Sequence, residues 1–395
     1  MPRCNASAIA DWLTDGARSA ALPQEVLAQL CEQLLACGIP LSRAAVLVRT
    51  LHPEVTGRRF LWRPESGVEV GELVFARLQT PDFLDSPVAR VYATAAPMRR
   101  RLANADEAAE FALLRDLRAD GATDYLAVPL LFTDGTVHVA SWTTRQPEGF
   151  ADEHIDVLHS ITAPLARVAE VRALTRTART LLDTYVGAHA GQRILSGQIR
   201  RGHTETIRAV IWLSDMRGFT ALSDRLQPRT LIELLNRYFD CQVPAIQEQG
   251  GEVLKFIGDG LLAIFPLRSA DDTGNACSAA LRAAAQSKCS IDALATDASQ
   301  GTYPRFGVAL HVGEVLYGNI GGANRLDFTC IGPAVNLAAR LEKLAGQLGR
   351  STIVSSDFAA RCSTPLALLG EFALPGLSGL QTAYGLTDES PRAES

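Results

Sequence analysis

The sequence predicts an α+β fold in more than one domain, on three observations. The turns "TDG" (133–135) and "GDG" (258–260) each sit between apolar runs and read as β-hairpins. Apolar residues recur at spacings of three and four in 22–38, 228–251 and 333–349, as in amphipathic helices. The two patterns mix without strict strand–helix alternation, which suits hairpins and helices on one sheet rather than a doubly wound parallel sheet. A length of 395 residues suggests two or three domains, and 47% hydrophobic with 21% charged residues is globular composition.

Several function classes are disfavoured at once. The net charge is −5 and the longest basic block is "MRRR" (98–101), so no nucleic-acid partner is expected. No apolar run reaches the roughly 18 residues of a membrane span. The start "MPRCNASAIADWL" has no apolar signal core. Eight cysteines form no CxxC pair, so neither a zinc site nor a disulfide framework is indicated, and a reduced, cytoplasmic protein is expected. P-loop and Rossmann fingerprints are absent.

In chain order, 22–38 is a helix with Pro23 at its start, Gly38 past its end and Leu27, Leu30, Cys31 and Leu34 on one stripe. Cys31 and Cys37 read as structural helix cysteines rather than chromophore tethers. Strands follow at 44–50, 58–63, 124–132 and 136–144. From Asp152 to about Arg200 the pattern is helical, with Leu158, Ile161, Leu165, Val168, Val171, Leu174, Leu181 and Tyr185 at spacings near three and four. This stretch reads equally as a helix closing its own domain or as a stalk pairing with a second copy, and Pro164 should kink or restart it. Beyond Thr206 come a strand at 207–215, one helix at 228–251, the hairpin around Asp259, an Ala-rich helix at 271–295, strands at 305–313 and 315–322, "RLDFTCIG", and a helix at 333–349. Short strands at 351–356 and within 370–386 close this zone, and 387–395 is expected to be a flexible tail.

The chemistry-bearing residues lie in this last zone. Asp215 ends a strand beside a helix start at Gly218, where a carboxylate either caps the helix or holds a divalent cation next to bound phosphate. Asp259, at the tip of a hairpin able to lie against that strand, can bring a second acid to the first. Such convergence costs repulsion unless a cation relieves it. Asn336 and Arg340, at i and i+4, share one helix face, as a solvated surface pair or as an amide and a guanidinium facing a phosphate. Lys255 lies inside the apolar strand "VLKFI" and either snorkels to solvent or reads a ligand.

"WLSDMRGFTALSD", "GGEVLKFIGDGLLAIF", "FGVALHVGEVLYGNIG" and "DFTCIGPAVNLAARLE" together resemble the catalytic domain of class III nucleotidyl cyclases over roughly 205–386. The resemblance implies a ferredoxin-like sandwich acting as a homodimer. It implies Asp215 and Asp259 as ligands of two Mg²⁺ or Mn²⁺ ions per active site, and Asn336 and Arg340 as transition-state groups. Lys255 and Thr329 match the purine-reading positions, and Gly218, Phe219 and Thr220 the phosphate-binding turn. Lys with Thr is similar to the adenylyl-specific bacterial subclass, which implies ATP converted to 3′,5′-cyclic AMP and pyrophosphate. A guanine-reading pair is typically Glu and Cys, and Cys330 stands one residue away from the reading position. The chain departs from the family at Pro375 and Leu377, where a triphosphate-binding Lys is often found. That departure keeps a catalytically weak nucleotide-sensing dimer module as an alternative, beside a guanylate cyclase. "GGEV" (250–253) is superficially similar to a diguanylate cyclase turn motif, but here Gly250-Gly251 ends a helix and Val253 follows Glu252.

Residues 124–168 resemble the second half of a GAF domain, with a strand, a hairpin, Phe150 and a closing helix. That implies a GAF-like α/β sensor or dimerisation domain over 1–150, an unidentified small-molecule ligand, and a helical linker over 151–204 into the catalytic domain at 205–386.

Overall fold

The run "AAVLV" lies in a strand buried on both faces, which is why it shows no alternation. In the computed structural model, which describes residues 6–50, 55–104, 106–107, 110–267, 269, 272–296, 304–387 and 389, this strand is β1, Arg43–Arg49. Contacts divide the chain into two units, Met1–Leu181 and Leu182–Ser395.

In the first unit β1 joins β2 (Val55–Arg63), β3 (Gly67–Val74), β4 (Met98–Arg101), β5 (Asp124–Leu131) and β6 (Val137–Thr144). They form one antiparallel sheet in the order β3-β2-β1-β6-β5-β4. Ala44, Val46 and Val48 face a core shared with the helices Ala6–Thr14, Pro23–Ala36 and Asp152–Ser160 and with the first half of Thr162–Val186. Ala45 and Leu47 face a second core under Pro87–Thr94 and Ala112–Ala119. Cys31 is fully buried and burial pushes its thiol up, so it acts as a core residue.

The first half of residues 152–186 closes the N-terminal unit. The helix restarts at Thr162, with Pro164 in its first turn, where a missing N–H costs nothing. Leu158, Ile161, Leu165 and Val168 are buried in the first core. Further along, Val171, Leu174 and Tyr185 are 62%, 61% and 78% exposed.

The second unit is built on β7 (Thr204–Arg217), β8 (Glu252–Ile257), β9 (Gly260–Pro266), β10 (Arg305–Gly321), β11 (Leu326–Ile331), β12 (Thr352–Ser355), β13 (Leu366–Ala373) and β14 (Leu380–Leu386). Their order is β13-β14-β12-β10-β7-β9-β8, with β11 paired to β10. The helices Pro228–Asp240, Val243–Glu248 and Thr273–Thr296 cover one face around Trp212. Helices Ala188–Leu195 and Pro333–Gln347 cover the other.

Strands β3 and β4 and the helices Ala6–Thr14, Pro87–Thr94 and Ala112–Ala119 had no counterpart in the sequence reading, and two of the expected elements differ. The expected helix 228–251 breaks after Asp240, because Pro244 has no N–H for a continuing turn and opens a second helix instead. The expected strands 305–313 and 315–322 are one strand, β10. Gly313 does not interrupt it. A Cβ there would lie 2.5 Å from that of Ala334, so this glycine lets the helix Pro333–Gln347 approach the sheet. Of the expected tail, Glu389 is tied down by the Ser351 N–H (2.8 Å to Oε1), whereas 388 and 390–395 lie outside the described residues.

Candidate functional site

The pairing of β7 with β9 ends at Ser214 and Leu261, which leaves Asp215 beside the Gly258-Asp259 turn. Gly260 is required at this junction, since a Cβ would run into the Ser214 carbonyl and lie 3.4 Å from Asp215 Oδ1. The Asp215 and Asp259 carboxyl groups are in hydrogen-bond contact. Burial first, and then Asp259, pushes the Asp215 carboxyl up to about 7. Its backbone is held from behind, where the Tyr238 hydroxyl donates to the Asp215 carbonyl (2.9 Å) and the Ser214 hydroxyl to Gln242 Oε1 (2.6 Å). Gly218, in the left-handed region at φ 76°, turns the chain directly after β7 into the helix Phe219–Arg225, which starts with Phe219 and Thr220.

Arg217 and Glu342 are functional candidates that the sequence reading missed. Arg217 Nη1 pairs with Glu342 Oε1 at 2.6 Å and Nη2 donates to the Glu342 carbonyl at 3.0 Å, with both side chains largely buried. The pair ties the end of β7 to the helix Pro333–Gln347. Gly307 and Gly346 make the room, since a Cβ at either would strike the guanidinium. A sequence signal existed: Arg217 follows Asp215 by two, so both lie on one face of β7. Nothing in the sequence named Glu342 as its partner.

Lys255 lies on β8 and Thr329 on β11, two strands in contact. Lys255 Nζ is 4.0 Å from Asp327 Oδ2, and its charge acts on the thiol of Cys330, which burial pushes up to about 11. Thr329 is 3% exposed and its hydroxyl is buried with no hydrogen-bond partner among the described residues. An orphaned buried hydroxyl suits a ligand that brings its own polar edge. On the helix Pro333–Gln347, Asn336 is exposed and its amide bonds to no described residue. Arg340 Nε donates to the Pro375 carbonyl at 3.0 Å, which holds the guanidinium along the 374–377 turn.

The structure thus makes two groups. Asp215 and Asp259 form one; Lys255 and Thr329, with Asn336 and Arg340 on the adjoining helix, form the other. Among the described residues no hydrogen bond or ion pair joins either aspartate to Lys255, Thr329, Asn336 or Arg340. No cluster of three or more His, Cys, Asp or Glu side chains suited to a metal occurs among the described residues either.

The family profile described as Adenylate and Guanylate cyclase catalytic domain matches residues 203–380. An adenylate cyclase of Anabaena cylindrica is 35% identical over 173 residues, covering 42% of this chain and 33% of that protein. Adenylate cyclase 1 of Rhizobium meliloti is 24% identical over 281 residues, covering 68% of this chain and 41% of that protein. The chain thus spans less than half the length of either relative. Among solved structures, the adenylyl cyclase CyaB from P. aeruginosa is similar at 26% identity and a TM-score of 0.43, covering 48% of this chain and 97% of that one.

Proposed function

From the premise that residues 203–380 are a class III adenylate and guanylate cyclase catalytic domain, we propose that this protein is an adenylate cyclase, converting ATP to 3′,5′-cyclic AMP and pyrophosphate in a homodimer. The observation that carries the choice of ATP is the orphaned Thr329 hydroxyl on β11, the strand that also carries Asp327 at 4.0 Å from Lys255. An ammonium donates to the bare N1 of adenine, and a hydroxyl accepts from its 6-amino group. Guanine offers a protonated N1 and a 6-oxo group, which Lys and Thr serve less well. The names of the relatives point the same way.

The aspartate pair fits divalent cations. Two carboxyl groups in contact, one pushed up to about 7, are relieved by a positive charge, and all-oxygen donors suit Mg²⁺ or Mn²⁺. Bound there, two such ions supply a lowered pKa for the ribose 3′-hydroxyl and charge neutralisation at the phosphates. Asp215 and Asp259 hold that position on β7 and the hairpin turn. The ribose 3′-oxygen forms its bond to the α-phosphorus as the bond to the pyrophosphate oxygen breaks. Arg340, engaged through Nε by Pro375, keeps its terminal nitrogens for the phosphoryl oxygens, with Asn336 one turn away as an amide donor. Gly218, Phe219 and Thr220 offer backbone N–H groups to the remaining phosphates.

A homodimer accounts for two groups that no hydrogen bond or ion pair joins within one chain. If the aspartates of one subunit face Lys255, Thr329, Asn336 and Arg340 of the other, a two-fold axis makes two equivalent sites. The exposed Phe256, Ile257 and Ile331 around Lys255 and β11 suit burial against a second copy. The decisive experiment mixes two damaged chains and identifies the cyclic product. Asp259→Ala and Asn336→Ala should each be nearly inactive alone. Co-expressed, they should recover about a quarter of wild-type activity, since about half the dimers are mixed and each has one intact site of two. No recovery from proven mixed dimers would place all groups within one chain. Cyclic GMP as the main product would transfer the assignment to guanylate cyclase. The lack of a cation at Pro375 and Leu377 favours a second reading, a nucleotide-sensing module, which a complete absence of pyrophosphate release with Mn²⁺ and ATP would support.

A further inference from the structure

We propose that the N-terminal unit binds an anionic amphiphile, a single apolar chain ending in a carboxylate, in the cleft between the helix Pro23–Ala36, strands β1 and β2, and the first half of the helix Thr162–Val186. The cleft holds about 650 Å³ of atom-free space counted to its open mouth. Val26, Leu27, Val48, Phe60, Leu165 and Val168 wall it. The one hydroxyl on the wall, Thr50, is already engaged with Thr177 at 3.3 Å. A cleft so apolar suits an apolar chain and gives a polar ligand nothing to bond.

The mouth has the opposite character. Arg58, Arg172 and Arg176 surround it, and Arg172 and Arg176, at i and i+4, extend the helix face that carries Leu165, Val168 and Ala169. Arg58 is paired with Glu72 at 2.6 Å. Arg172 donates to the carbonyls of Ala20 (2.7 Å) and Ala21 (3.0 Å), which orient it without cancelling its charge. Arg176 has no hydrogen bond or ion pair with any described residue and is crowded by Arg58 and Arg179, with Glu72 the one offsetting charge. Partial burial, and then Arg58, lower its proton affinity, as in a cation short of counter-charge. Two guanidinium groups without carboxylate partners above an apolar slot match a ligand with a buried tail and an anionic head. A cationic head would meet repulsion there.

Binding to the full-length chain is the test, read by titration calorimetry with decanoate below its micellar concentration, and it does not depend on what the C-terminal unit catalyses. Saturable binding at one site per chain is expected, with decyltrimethylammonium giving none. Arg176→Glu, a change at an exposed position, should weaken decanoate by roughly three- to tenfold while leaving 1-decanol unchanged. Ala173→Phe, which puts a ring into the slot, should abolish both while the melting temperature stays at or above that of the wild type. The proposal is overturned by absence of saturable decanoate binding, by equal binding of the ammonium amphiphile, or by an Ala173→Phe chain that still binds.

Discussion

At Asp215, burial and the Asp259 carboxylate both favour the protonated acid. The folded, metal-free chain therefore keeps a proton there that the unfolded chain releases near pH 4. The resulting stabilisation is complete below about pH 4 and is lost as pH rises towards the folded value of about 7. In chelator-treated protein, the melting temperature relative to Asp259→Asn should fall between pH 5 and pH 8, and Mn²⁺ should restore it. A pH-independent difference between the two chains would show that the acids do not interact. Lys255 and Thr329 allow a second residue-scale test. Lys255→Glu combined with Thr329→Cys should lower ATP use and raise relative GTP use, since a lost hydrogen bond at a buried polar edge costs on the order of 1–3 kcal/mol. An unchanged ATP/GTP ratio would remove both residues from base reading.

The helix Ala188–Leu195 shows how a short element is held by few atoms. Ala190 is fully buried, and Gly187 passes so close to β8 that a Cβ would lie 3.2 Å from the Val253 carbonyl. Glu252 accepts from the Ala190 backbone N–H and, at 2.9 Å to each oxygen, from the Tyr317 hydroxyl. Burial raises the Glu252 carboxyl and these donors oppose the rise. Arg193 pairs with Glu205 and lies over the rings of Tyr317 (5.7 Å) and Phe328 (5.8 Å). Tyr317→Phe removes a donor from the ionised form of Glu252, so it should destabilise by about 1–3 kcal/mol. The loss should be larger at pH 8 than at pH 5, because the missing hydrogen bond serves the carboxylate. Urea midpoints of the two chains at both pH values provide the measurement, and an equal loss at each pH would detach Glu252 from this role.

For the whole molecule, the unit boundary at Leu181 makes a prediction about truncation. A chain starting at residue 151 keeps Leu158, Ile161, Leu165 and Val168 but loses the sheet that covers them. One starting at residue 182 leaves that stripe out. At about 25 cal/mol per Å² of exposed apolar area, the longer fragment carries several kcal/mol of unfavourable surface and should aggregate. Size-exclusion profiles should show the shorter fragment eluting as a discrete species. The reverse order would mean that 151–181 belongs with the C-terminal unit.

Local chemistry made much of this legible in advance. The hairpin at Asp259, the strand ending in Asp215 and the helix carrying Asn336 and Arg340 each depend on turn residues, periodicity and chain order, which one segment displays by itself. Long-range placement was not legible. Gly313 looked like a strand end until Ala334 arrived against it, and Arg217 went unnoticed until Gly307, Gly346 and Glu342 formed its pocket. The stripe from Leu158 to Tyr185 has similar apolar spacings in both halves, yet its first half is core and much of its second half is exposed. The sequence by itself determined the Asp259 hairpin, the strand carrying Asp215 and the helix carrying Asn336 and Arg340, because those preferences act over a few residues. Only the tertiary structure decided which side chains share a buried environment, and so which carboxyl titrates near neutrality and which hydroxyl is left without a partner, because burial and charge act through neighbours that are distant in the chain.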